Sequence, residues 1–286
     1  MKRELEDYQR IEQSITKKYR KPLWNKFIRA VKEYQLIQPN DRIAVCISGG
    51  KDSMLMAKLM QLLKRYSEIP FETVFLVMDP GYNAENRRKI IDNAQLLHIP
   101  VTIFDTDIFD TANQAEKYPC YLCARMRRGH LYSQAQKLGC NKIALGHHFS
   151  DVIETTVMSM FYGAQLQGMI PKLHSSHFPG MELIRPLYCI HEDDIIAWAR
   201  YNHLSFLRCA CRFTEMQDKA DSDELGKRME TKRLLQELKK TNPNIEKSIF
   251  NSLHIVHLDT FPGYKSGGQR HSFLEHYDDA LPPESL

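Results

Sequence analysis

The stretch Val45–Leu63, VCISGGKDSMLMAKLMQLL, decides the fold. An apolar run, RIAVCI (Arg42–Ile47), ends in Ser48-Gly49-Gly50 and gives way at once to a segment whose apolar residues recur at helical spacing. The pattern predicts a buried strand, a tight glycine turn and a helix over Ser53–Tyr66. Consecutive glycines let backbone N–H groups approach an anion unobstructed, and the helix N-terminus adds partial positive charge. Phosphate is the natural occupant. The spacing is neither the G-x-x-x-x-G-K-[ST] of the Walker loop nor the G-x-G-x-x-G of a dinucleotide turn, so those readings fail.

Working outward, strands are predicted at FETVFLVM (Phe71–Met78), VTIFDT (Val101–Thr106) and NKIALG (Asn141–Gly146). Helices are predicted between and after them, over Ala84–His98, Cys120–Leu138 and Phe149–Tyr162. This βαβ rhythm predicts an α/β fold: a doubly wound parallel sheet with right-handed crossovers, binding its ligands beyond the carboxyl ends of the strands. Ser48–Ser53, Asp79 and Gly146–Asp151 each follow a strand and are candidate site residues. Gly163–Gly180 reads as loop and Glu182–Leu187 as a short strand. His191–Leu204 reads as a helix whose acidic first turn suits the macrodipole. Two further helices are expected over Asp223–Lys240 and Asn244–His257, and the Gly-, Pro- and His-rich tail from Phe261 is expected to hold little order. The expected organisation is a basic helical extension (1–39), a central domain carrying the glycine loop (40–215), C-terminal helices (216–258) and a tail (259–286). No internal repeat is present.

At 286 residues the chain can bury one large domain with appendages, and 43% hydrophobic with 26% charged residues is ordinary for a globular protein. No apolar run is long enough to span a bilayer and the N-terminal segment is highly charged, which argues against a signal peptide or membrane helix; a cytoplasmic location is expected. The net charge of +4 is unevenly spread: TKKYRKPLWNKFIRAVK (Thr16–Lys32) holds seven basic residues and no acid, interleaved with Tyr19, Trp24 and Phe27. That mixture suits a polyanion with stackable bases. It equally suits an amphipathic helix burying Leu23, Phe27, Ala30 and Val31.

Seven cysteines, an odd number without a secretion signal, favour thiol or metal chemistry over a disulfide framework. Cys120 and Cys123, in PCYLC, fall on one side of a predicted first helical turn, where the helix N-terminus and Arg125, Arg127 and Arg128 favour thiolate. Cys209 and Cys211, in LRCACRF, offer further ligands. Four thiolates would close a zinc site; three would leave an iron open in a cubane cluster; a redox pair is the other alternative. Cys46, Cys140 and Cys189 sit in apolar surroundings and read as core, and Met158, Met160 and Phe161 read as helix packing.

SGGKDS in its strand-loop-helix setting resembles the pyrophosphate loop of the ATP pyrophosphatase superfamily, whose members cleave ATP between the α- and β-phosphates and adenylate a substrate. The resemblance implies an adenine nucleotide alpha hydrolase-like fold, with Ser48, Gly49, Gly50, Lys51, Asp52 and Ser53 around ATP, joined by Asp79 and Gly146. Lys51 would neutralise the departing pyrophosphate and Asp52 would hold Mg2+. The structural alternative for Asp52 is an N-cap on a helix beginning at Ser53.

CYLCARMRRGHLY (Cys120–Tyr132), KIALGHHFSDVIET (Lys142–Thr155), SMFYGAQLQGMIPKL (Ser159–Leu173) and IRPLYCIHEDDI (Ile184–Ile195) are similar to successive motifs of the bacterial tRNA 2-thiocytidine synthetases, a match running from about Trp24 to Val256. Those enzymes adenylate C2 of a cytidine in the tRNA anticodon loop and replace its oxygen with sulfur, using a [4Fe-4S] cluster on three cysteines. The resemblance implies Cys120, Cys123 and Cys209 as ligands. This chain reads R-C-A-C where the family pattern is P-C-x-x-C, so Cys211 is an alternative third ligand or a persulfide acceptor. It also reads GHHFSD for G-H-H-x-D-D, leaving Asp151 to hold Mg2+ or position the activated base, with His147 and His148 as catalytic or loop-structuring residues. Arg127 would bridge cluster and nucleotide. The implied partners are tRNA, a sulfur donor such as a cysteine desulfurase, and a second copy of the chain; no membrane is expected. The rivals are a tRNA lysidine synthetase-like ligase, a sulfurtransferase acting on uridine, and a metal-stabilised RNA-binding protein without catalysis.

Overall fold

Strand β1 (Arg42–Ile47) is buried from Ile43 onward, as an unbroken apolar run requires at the centre of a parallel sheet covered on both faces. In this computed structural model, which describes residues 5–109, 119–207, 223–275 and 277, β1 pairs in parallel with β2 (Glu72–Asp79) and β4 (Lys142–Ala144). β3 (Val101–Asp105) flanks β2, while beyond β4 lie β6 (Glu182–Ile184) and β5 (Lys172–His174), giving the order β3-β2-β1-β4-β6-β5. All neighbours are parallel except β5, which runs antiparallel to β6. The order reverses between β1 and β4, so the crevice for ligands opens there, beside the residues that follow each strand.

α3 (Lys51–Tyr66) buries every residue from Ser53 to Met60 and forms the axis about which the rest packs. On the other face, α5 (Pro119–Lys137) sets Tyr132 and Ala135 among Ala44, Cys46, Leu76, Cys140 and Ile143. α4 (Ala84–Leu96), α6 (Phe149–Phe161) and α7 (Glu192–Tyr201) complete the layers. At the N-terminus, α1 (Asp7–Thr16) leads through a π-helical turn (Arg20–Asn25) into α2 (Lys26–Glu33). Leu23, Phe27, Ala30 and Val31 are buried as the amphipathic reading expects, while Lys17, Lys18, Lys21 and Lys32 remain exposed. The anchor is a buried ion pair: Lys58 Nζ of α3, fully buried, donates to Glu12 Oε1 of α1 at 2.9 Å, and Arg65 grips the other carboxylate oxygen at 2.8 Å.

Contacts divide the chain into Met1–Leu234 and Leu235–Leu286. The helix α8 (Asp223–Thr241) runs from the first into the second unit, which also holds α9 (Ile245–Ser252) and the hairpin β7–β8 (Gly263–Ser266 and Gln269–Ser272).

Four expectations are corrected. β5 lies inside the stretch read as loop; three residues at a sheet edge carry too short an alternation to register. The tail contains the β7–β8 hairpin, because Gly267 and Gly268, with φ of 58° and 82°, supply the primed two-residue turn that matches strand twist. α9 stops at Ser252, short of His257. Met160 and Phe161 are exposed rather than packed, since they fall on the outer last turn of α6.

At the base of the sheet, Lys142 Nζ meets Asp41 and Glu182, each at 2.9 Å, and donates to the Leu36 carbonyl at 3.0 Å, with all three side chains buried or nearly so. Removing the cation leaves two carboxylates without it, so Lys142→Ala is expected to cost about 3–5 kcal/mol of stability. A fall in the urea midpoint at unchanged m-value checks this.

Candidate active site

The loop after β1 is held by its own serines. The Ser53 hydroxyl accepts from the Ser48 N–H at 3.1 Å and donates to the Gly50 carbonyl at 3.0 Å. Gly49 adopts φ 85°, a conformation side-chain-bearing residues rarely hold, and a Cβ there would stand 2.6 Å from Ile90. α3 begins at Lys51 with Gly50 as N-cap, and no side chain caps it. The amides at the head of α3 therefore face the crevice with the helix dipole behind them, as an anion site needs. Asp52 lies inside the helix rather than at its cap, which removes the N-cap alternative.

Gly146, after β4, comes so close that a Cβ would lie 3.1 Å from the Ser53 nitrogen and 3.3 Å from the Asp52 carbonyl carbon. His148 then caps α6: its Nδ1 accepts from the Asp151 N–H at 3.3 Å, and Asp151 Oδ2 accepts from the His148 N–H at 3.0 Å. His148 Nε2 stands 3.7 Å from Asp52 Oδ1, which is itself buried without a hydrogen-bond partner. Burial pushes the Asp52 carboxyl up against the opposing pull of His148 and Lys51.

Lys51 Nζ donates to Asp52 Oδ2 at 3.1 Å and to Glu192 Oε1 at 2.9 Å. Burial alone would lower its pKa, but the two carboxylates outweigh it and the ammonium is held up. Glu192 Oε2 is taken by Lys232 of α8. Burial opposes ionisation of Glu192, yet the two lysines hold its carboxyl down to about 2. Arg228, one turn before Lys232, reaches toward Asp151 Oδ1 at 3.9 Å. The Ser150 hydroxyl, standing where the family pattern has an acid, accepts from the Glu192 N–H at 3.3 Å and ties the head of α6 to that of α7.

Glu192, Arg228 and Lys232 were not singled out in the sequence. The acidic first turn of α7 was visible, but nothing local indicates that Glu192 meets a lysine 141 positions away. Asp79 follows β2 as expected, but both its oxygens are engaged: Oδ1 accepts from the Gly81 and Tyr82 N–H groups at 2.9 and 2.7 Å, and Oδ2 from Arg87 at 2.6 Å. It shapes the turn after β2.

Cys123 is buried near the start of α5 against Met78, Ile108 and Phe109, at the carboxyl end of β2. Tyr82 packs on the same cluster. Arg127, one turn further along, is half-buried. Cys209 and Cys211 lie outside the described residues, as does the side chain of Cys120. The chain leading to the CAC segment is described, however: the Leu207 N–H donates to the Gly49 carbonyl at 3.1 Å, two residues before Cys209. Leu207 is thus tied to the glycine loop, and Cys123 packs at the carboxyl end of the neighbouring strand β2. Among the described residues no group of three His, Cys, Asp or Glu side chains is arranged to hold a metal ion.

The strand order, the SGGKDS loop and its uncapped helix define a PP-loop domain, and the family model described as "PP-loop domain" matches residues 16–211. Curated relatives called tRNA-cytidine(32) 2-sulfurtransferase include those of Geobacter sulfurreducens, 34% identical over 82% of this chain and 89% of that protein, and Geobacter metallireducens, 35% identical over 83% and 90%. Another, from Vibrio campbellii, is 34% identical over 79% and 74%. Within the PP-loop proteins, the chain belongs to the tRNA-cytidine(32) 2-sulfurtransferase family. A solved structure of the U34-tRNA thiolase NcsA from Methanococcus maripaludis, with its [4Fe-4S] cluster, shares the fold at a TM-score of 0.63 and 21% identity, over 81% of this chain and 77% of that one. No helix among the described residues is long and apolar enough to cross a membrane.

A Cβ at Gly146 would press on the backbone of α3 itself, which cannot swing aside as a side chain can. Gly146→Ala is expected to weaken ATP binding at least ten-fold in calorimetry while the chain stays folded. Gly129→Ala, where a Cβ meets open space, should leave binding unchanged.

Proposed function

We propose that this protein is an ATP-dependent tRNA sulfurtransferase that adenylates C2 of a cytidine in the anticodon loop and exchanges its oxygen for sulfur. The observation that carries the reading is the glycine loop at the uncapped head of α3, to which Leu207, two residues before Cys209 in the sequence, is hydrogen-bonded, while Cys123 packs at the neighbouring strand end.

A carbonyl oxygen on C2 is a poor leaving group, and converting it to an AMP ester makes it a good one. The loop Ser48–Ser53 holds the β- and γ-phosphates by its backbone N–H groups, and Gly49 and Gly146 let the loop and the head of α3 take up that position. Lys51 turns from Glu192 to the departing pyrophosphate, and Lys232 remains to neutralise Glu192. Asp52 and Asp151 would hold Mg2+, which would offset phosphate charge as pyrophosphate departs. The partnerless, buried Oδ1 of Asp52 fits that role. Asp79 shapes the turn beside the nucleotide.

Cys120, Cys123 and either Cys209 or Cys211 would hold a [4Fe-4S] cluster, which supplies an iron without a protein ligand where sulfur can bind. Arg127 would bridge that cluster and the nucleotide. The exposed lysines of the N-terminal extension contact tRNA phosphates, sulfur arrives from a donor such as a cysteine desulfurase, and the work is done in the cytoplasm.

Two measurements test this. Anaerobically purified protein is expected to carry about four irons per chain with matching acid-labile sulfide. Cys123→Ala should lose them, whereas Cys140→Ala should keep them; one zinc and no iron would refute the cluster. Mass spectrometry of tRNA from a deletion strain should show 2-thiocytidine lost and restored by the wild-type chain but not by Lys51→Ala. Thiolated cytidine persisting in the deletion strain would count against the assignment.

A further inference from the structure

Beyond the loop, the crevice holds a second group of donors that the chemistry above does not use. Arg185 follows β6 directly. Its Nη1 donates to the Ile170 carbonyl, but its Nε is buried without an acceptor, and among the described residues no carboxylate pairs with the guanidinium. Burial, reinforced by the like charge of Arg128, pushes its pKa down to about 10. Asp151, the acid that favours its charge, is already engaged by the His148 N–H and approached by Arg228. A guanidinium in this setting is short of an anion.

His147 adds a second unsatisfied atom: its Nδ1 is buried without a partner. Burial lowers this imidazole to about 4, so at neutral pH the ring is uncharged and can offer a donor or an acceptor. The sheet puts the two residues together. Ala144 pairs with Ile184, and the Leu145 N–H donates to the Ile184 carbonyl at 3.0 Å, so both chains leave adjacent strands at the same edge. Arg185 is also firmly placed, since its N–H donates to Pro171 and the neighbouring Tyr188 hydroxyl donates to Met169, at 2.9 and 2.8 Å.

We propose that Arg185 and His147 seat the RNA nucleotide that enters the site, Arg185 taking its phosphodiester and His147 meeting its uncharged base or sugar edge. The inference rests on the tRNA reading above and specifies where the RNA strand lies. β6 is two strand spacings from β1, about 10 Å. That distance puts Arg185 off the pyrophosphate loop and on the side left for a second substrate. Arg128, exposed on α5, extends the positive rim along which a strand would run. Phosphodiester rather than ATP phosphate is the ligand because the helix N-terminus, Lys51 and the glycine amides already serve the latter.

The test is binding of an unmodified tRNA transcript to anaerobically purified protein, followed by fluorescence anisotropy over a salt series, with ATP affinity measured in parallel. Arg185→Gln is expected to weaken tRNA binding about ten-fold and to reduce the slope of log affinity against log salt by about one, with ATP affinity within two-fold of wild type. Arg185→Lys should restore the slope but not the full affinity, because an ammonium lacks the fixed Nε donor. Arg128→Gln, at an exposed position where folding is not at stake, should move both readouts in the same direction by less. Wild-type tRNA affinity and slope in both glutamine variants would overturn the proposal, and so would loss of ATP binding in place of tRNA binding. A wild-type protein that does not bind tRNA would refute the functional reading as well; intact binding unaffected by Arg185→Gln would sink this inference alone.

Discussion

Three stretches of chain meet at the carboxyl end of β1, two of them at glycines that leave no room for a Cβ. Gly49 turns through a left-handed conformation against Ile90 and Leu207, Gly146 lies on the head of α3, and Leu207 is hydrogen-bonded back to Gly49. At Gly49 the neighbours are the Ile90 and Leu207 side chains and at Gly146 the backbone of α3, so the geometry depends on the sheet register, the depth of α3 and the packing of α4. This explains the investment around α3: its middle is solid hydrocarbon, and its one fully buried lysine is matched by Glu12. A helix free to slide would carry its first amides away from the place where phosphate charge must be met.

Charge in the crevice is shared along a chain of acid–base pairs. Asp52, Asp151 and Glu192 face Lys51, Arg228 and Lys232, with Glu154 buried below them, its carboxyl pushed up by burial and then by Asp151. Lys51 is tied at once to two carboxylates, and Glu192 to two lysines. Such a chain of exchanges lets one member leave for a phosphate without stranding a bare charge in a poorly hydrated space. Arg228 and Lys232 sit on α8, the helix that follows the CAC segment in the sequence.

Much of this was legible in the amino-acid order. β1, β2 and β3 are long enough for apolar runs to declare them, and the six residues Ser48–Ser53 carry a phosphate loop in their types alone. What escaped was either short or distant. Lys172–His174 is three residues at a sheet edge, and its pairing with β6 is a tertiary fact. Gly267-Gly268 did announce a hairpin turn, but the composition around it spoke louder. Glu192 looked like a dipole-matching acid, which it is; that it also holds Lys51 follows only from the folding of α7 against α3. Met160 and Phe161 obeyed helical spacing and still fell outside the core, because they lie on the exposed last turn of α6.

Cys46, Cys140 and Cys189 are all buried, and none forms a disulfide. Burial pushes Cys46 up to about 12 and Cys189 up to about 11, and raises Cys140 as well. Thiolate is the form that attacks sulfur and binds soft metal, so at neutral pH these three have almost none to offer. A protein that handles activated sulfur risks having it captured by any competent thiol on the way. Here Cys46, Cys140 and Cys189 are silenced by the same packing that builds the sheet, so the burial that stabilises the fold also removes three rival nucleophiles.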